Sequence, residues 1–106
     1  MGFQIKDKKG TALSMDALDL EAANFFLVEY DEENYAKPII PDSLSWYNVI
    51  GYSISNNNVQ WSDVIAHILK ICTIGIESYH EIEAARPYIE LCLYWKHKGY
   101  VPVYVP

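Results

Sequence analysis

The chain has 106 residues, of which 51% are apolar and 14% aromatic, and carries a formal net charge of −6. That length suits one domain spanning 1–106 and leaves no room for two, and the apolar content supports a core without help from metal or disulfides. The charged fraction and the wealth of Tyr, Trp, Ile and Leu argue against intrinsic disorder, and the acidic balance argues against generic binding to phosphate backbones.

Phe3-Gln4-Ile5-Lys6 alternates apolar and polar residues, the period of a half-buried strand. Asp7-Lys8-Lys9-Gly10 follows, with Gly10 where a tight turn needs positive φ, and Thr11-Ala12-Leu13 can return antiparallel, so residues 3–13 read as a β-hairpin. Ser14 is a good N-cap for a helix over 15–28, whose inner face is Leu18, Ala22, Phe25 and Phe26. Residues 29–42 form the longest irregular stretch. They carry the acidic run Asp31-Glu32-Glu33 together with Pro38 and Pro41, which block helix continuation.

Ser43 or Ser45 can cap a second helix marked by Trp46, Val49, Ile50 and Ile54 and ended by Asn56-Asn57-Asn58. Gly51 inside it is either a close packing contact or an early end. The third helix is the clearest pattern: Trp61, Val64, Ile65, Ile68, Leu69 and Cys72 lie on one face, with Gly75 as a stop. Ser78-Tyr79-His80-Glu81 has the form of a capping box for a fourth helix running toward Gly99. Pro87 is expected to divide it into 79–85 and 87–97. Tyr100 to Val105 reads as an edge strand, because Pro102 and Pro106 deprive one edge of donors while Val101, Val103 and Val105 can pair along the other. The expected fold is therefore α+β, with three to four helices packed on a small antiparallel sheet formed by the N-terminal hairpin and the C-terminal strand.

Chemistry-bearing patterns are sparse. Cys72-x7-His80 and Cys92-x4-His97 do not reproduce the paired close spacings of zinc sites. Neither cysteine sits beside an activating His, and both read as buried free thiols of a reducing compartment. No Gly-x-Ser-x-Gly elbow or phosphate-binding loop is present in the sequence, and the acidic run lacks the alternating ligands and central Gly of a calcium loop. No cofactor, catalytic or metal-ligating residue is assigned, and enzyme activity is not the favoured reading. Met1-Gly2-Phe3-Gln4 lacks the form of a signal peptide, and no apolar run spans a bilayer, so the expectation is a cytoplasmic protein without membrane association.

What stands out is tyrosine. Nine Tyr and three Trp exceed what a core of this size needs, and amphipathic rings suit protein interfaces. Tyr30, Tyr35, Tyr47, Tyr52, Tyr94, Tyr100 and Tyr104 are the candidates for partial exposure. An interaction surface is expected at Tyr30, Glu32, Glu33, Tyr35, Tyr100 and Tyr104. The partner would be another protein or a second copy of the chain rather than nucleic acid.

The stretches GFQIKDKKGTALSMDALDLEAANFF, SWYNVIGYSI and WKHKGYVPVYV resemble small uncharacterised proteins carried by bacteriophages and mobile elements of gut bacteria. The resemblance implies an accessory, partner-binding role and assigns no residue. The alternative reading is a small enzyme or ligand-binding domain with a site near His67, His80 or His97.

Overall fold

The computed structural model of the chain describes residues 2–29, 46–73 and 79–106, apart from the side chains of residues 28, 29, 72, 73 and 79–84. In chain order these form β1 (Gly2–Lys6), α1 (Met15–Glu29), a π-helical turn (Tyr47–Gly51), α2 (Trp61–Thr73), α3 (Tyr79–His97) and β2 (Val101–Val105). The helices pack on an antiparallel sheet made by the two terminal strands, the α+β arrangement expected. Residues 30–42 of the acidic stretch, the Ser43 and Ser45 caps, the Gly75 stop and the Ser78 capping box lie outside the described residues.

The sheet pairs Phe3 with Tyr104, Ile5 with Pro102 and Lys6 with Val101. The carbonyl of Ile5 accepts the Leu13 N–H at 2.9 Å on the opposite side of β1. Backbone groups alternate along a strand, so Gly2, Gln4 and Lys6 are the residues of β1 that face β2, and their partners are Val105, Val103 and Val101. Pro102 is thereby turned to the outer edge, where its missing N–H costs nothing. The inner face carries Phe3, Ile5 and Pro102, all buried.

The return arm of the hairpin is shorter than a strand. The Asp7 carboxylate accepts the N–H groups of Lys9 at 2.9 Å and Thr11 at 3.0 Å, and Gly10 takes φ 86°, so the turn forms as its residues dictate. Residues 11–13 then make a single bridge, Ala12 to Lys6. Ser14 ends the arm by starting α1, its hydroxyl accepting the Ala17 N–H at 3.1 Å.

α1 buries Leu18, Ala22 and Phe26, as its spacing predicts. The second helical segment buries Trp46, Ile50 and Ile54 but widens to a π-helical turn in place of a plain α-helix. Gly51 sits there under the ring of Phe3, so its role is close packing. The Asn-rich breaker closes as a tight turn, with the Asn58 N–H donating to Ser55 O at 3.0 Å. α2 turns Trp61, Val64 and Ile68 inward.

α3 differs from expectation: it is one continuous helix through Pro87. A proline removes a single helical hydrogen bond, and the bonds on either side keep the helix whole. The buried Ala85, Pro87, Leu91, Cys92 and Trp95 anchor this helix to the core. It ends in a Schellman motif: Tyr100 N–H donates to Trp95 O and Gly99 N–H to Lys96 O, both at 3.0 Å, with Gly99 at φ 84°.

Tryptophan occupies the centre. Trp95 meets Trp46 edge-on at 5.4 Å and Trp61 at 6.1 Å between ring centroids. Trp46 Nε1 donates to Asp19 at 2.6 Å and Trp61 Nε1 to the Tyr100 carbonyl at 2.7 Å, which ties α1 and β2 to the same cluster.

Candidate functional site

The Gly2/Val105 end of the sheet meets the π-helical turn, and a groove of about 350 Å³ lies between them. Its floor is Phe3, Gly51 and Ile54, and its walls are Tyr47, Tyr52 and Tyr104, with Asn48 contributing an amide. The groove exists because Phe3 and Tyr104 are cross-strand partners, which puts both rings on one face of the sheet. Phe3 then stacks into the turn, 5.3 Å from Tyr47 and 5.9 Å from Trp46.

Tyr52 is 79% exposed and Tyr47 is 47% exposed. Rings that open to water at the rim of a hollow are the feature that sets partner-binding surfaces apart from ordinary ones, because a ring buried there gains apolar contact while its hydroxyl stays hydrogen-bonded. Among the residues expected on the interaction surface, Tyr104 is in this groove. Tyr100 is elsewhere and already occupied: its hydroxyl donates to Glu21 at 3.0 Å, its carbonyl receives Trp61, and the Lys98 ammonium lies 5.0 Å from its ring centroid. Burial first, and then the neighbouring Glu21 carboxylate, hold its phenol above the usual range. Tyr30, Glu32, Glu33 and Tyr35 lie outside the described residues.

Tyr47 and Tyr52 were legible as surface aromatics, but not as two walls of one groove. That depends on Phe3 reaching Gly51 from the far end of the sequence, which no local pattern signals.

The histidines do not assemble a reaction centre among the described residues. His67 Nδ1 lies 3.0 Å from Ser53 Oγ, and that hydroxyl donates to the Val49 carbonyl at 2.9 Å. The Ser53 proton is thus engaged, so its oxygen accepts from the imidazole and His67 carries a proton on Nδ1. Ser53 is wholly enclosed, so its oxygen has no path to an external substrate. The pair holds the second helical segment to α2. His97 is exposed at the end of α3, and the His80 side chain lies outside the described residues.

Cys92 is free and buried, and burial pushes its thiol well above the ordinary range, which suits packing rather than nucleophilic attack. The Cys72 side chain lies outside the described residues. Among the described residues, no three His, Cys, Asp or Glu side chains converge, and no helix is long and apolar enough to cross a membrane. No protein-family model, curated protein or solved structure matches the chain.

Proposed function

We propose that the chain is a non-catalytic accessory protein that acts by binding another protein or a second copy of itself, with the tyrosine-walled groove as the contact surface. The observation that carries this reading is Tyr52, 79% exposed beside a hollow that Phe3, Tyr47 and Tyr104 complete. Tyrosine brings a large, stiff contact area with few rotatable bonds, so its ordering on binding costs little. The resemblance to mobile-element proteins points to the same accessory role. A buried free thiol at Cys92 fits the reducing cytoplasm.

The test compares the wild type with a Tyr47→Ser, Tyr52→Ser variant, chosen because both side chains are exposed, with circular dichroism checking that the variant stays folded without the Tyr47 ring against Phe3. Sedimentation velocity across a concentration series reports self-association, and quantitative co-purification from the native host reports a partner. The expected result is a complex in one of these measurements that the variant weakens by at least about 1–2 kcal/mol, the size of an interface anchor. A wild-type chain that stays monomeric and retains no protein, or a complex indifferent to both substitutions, would overturn the reading.

A further inference from the structure

The far end of the same sheet has the opposite chemistry. Of the eight basic residues in this acidic chain, Lys6, Lys8, Lys9, Lys96 and Lys98 come together there, from segments at opposite ends of the sequence. Two structural facts join them. Lys6 is the cross-strand partner of Val101. A side chain at Gly99 would lie 3.3 Å from Lys8 Cβ, so the Asp7–Gly10 turn rests against the loop that ends α3. His97 is exposed in the same place.

The acids nearby do not cancel this charge. Asp7 is committed to the backbone of its own turn, and Glu21 pairs with Lys98 at 2.7 Å. Among the described residues Lys6, Lys8, Lys9 and Lys96 have no carboxylate partner. Among the described residues this end sets five cations against three anions (Asp7, Glu21 and Asp63 in the first turn of α2) and is locally positive, while the other described residues carry two cations, Lys70 and Arg86, against six acids, Asp16, Asp19, Glu29, Glu81, Glu83 and Glu90.

Lys96 also lines a small hollow of about 230 Å³ with Gln60, Trp61, Ser62, Tyr100 and Val101. The start of α2 opens there, where Asp63 in its first turn already faces the positive end of the helix dipole. Val101, 50% exposed, places apolar surface beside the ammonium groups.

We propose that this lysine-rich end binds a short acidic segment of a partner protein, at a surface separate from the tyrosine groove. Charge complementarity selects an anionic partner, and two features select a peptide over nucleic acid. The cations are all lysine, point charges without the bidentate fork that arginine offers to phosphate. A duplex, with one charge per roughly 1.7 Å, would extend past the basic end onto the acidic remainder and be repelled, whereas a short peptide would not. The exposed valine suits a segment that mixes apolar and acidic side chains.

Fluorescence anisotropy with a labelled Glu-rich 12-residue peptide and a 12-base-pair DNA duplex tests the proposal on the full chain. The peptide should bind at low salt, weaken about tenfold or more as salt is raised, and bind tighter than the duplex. Lys8→Glu, Lys9→Glu, Lys96→Glu together should weaken it by at least about tenfold, the corresponding Gln variant by less, and Lys70→Glu by under about twofold. These positions are exposed, and circular dichroism checks that each variant is folded. No peptide binding at low salt, equal loss from Lys70→Glu, or tighter binding of the duplex would overturn the proposal. So would a chain dimer that the lysine reversal abolishes, since it would make a second copy the occupant. Groove substitutions at Tyr47 and Tyr52 should leave peptide affinity unchanged, which separates this result from the fate of the groove.

Discussion

The ring of Phe3 fills the space that a side chain at position 51 would need: a methyl group on Gly51 would sit 2.5 Å from Phe3 Cε1. Phe3 cannot swing away, because Trp46 and Tyr47 hold it on either side. Gly51→Ala is therefore expected to destabilise the fold by about 1–3 kcal/mol through overpacking, even though alanine favours helices. In a Phe3→Leu background the same substitution should cost less. Urea denaturation of the four proteins in that cycle measures both effects.

Two of the fully buried tryptophans differ in one respect that can be read out. Trp46 donates to Asp19, whereas Trp95 Nε1 has no hydrogen-bond partner among the described residues. Replacing either with Phe removes similar volume, but only Trp46→Phe strands a carboxylate. It is expected to be the more destabilising by about 1–2 kcal/mol, as chemical denaturation of the two variants would show.

The Lys98 ammonium is held above its ordinary range, first by its hydrogen bond to Glu21, and the Tyr100 phenol is raised mainly by burial. Both groups have folded-state values above their unfolded ones. Their contribution is therefore complete below about pH 10 and is lost as pH rises through the folded values. The wild type should lose stability in that alkaline window, and Glu21→Gln should lose less there because the pairing is already gone. Thermal melts between pH 8 and pH 11 check the sign. The effect will be modest, since the Lys98 side chain is 36% exposed.

Cys92 should be chemically silent in the native protein. In a Cys72→Ser variant, a thiol reagent at pH 8 is expected to react at least about a hundredfold more slowly than in denaturant, at a rate set by opening of the core. Rapid labelling under native conditions would contradict the buried position of Cys92.

Local chemistry made much of this fold legible. Gly10 and Gly99 mark the positions where φ must be positive, Ser14 marks the start of α1, and the prolines of β2 indicate which of its edges is free. The stripes of α1 and α2 bury Leu18, Ala22, Phe26, Trp61, Val64 and Ile68 as their spacing names, while Phe25 and Ile65 are half-buried and Leu69 is exposed at the edge of its stripe. Pro87 misled because the cost of one lost hydrogen bond is local, whereas the buried side chains on both sides of it act on the whole of α3. The π-helical turn was not visible, since it arises where the second helix meets Phe3, a residue remote in sequence. For the same reason neither the groove nor the lysine-rich end could be read beforehand: each is assembled by pairing β1 with β2. A segment-by-segment charge count divides those lysines between the two ends of the chain and so hides them.

The pairing of the two terminal strands has a bearing on synthesis. β1 is synthesised well before β2, so Phe3 and Ile5 wait for their cross-strand partners Tyr104 and Pro102 until residues 101–105 have been made. Both surfaces at the ends of the sheet are completed by that pairing. A chain cut short before Val101 would lack Tyr104 from the groove and Val101 from the lysine-rich end, so neither surface would be complete.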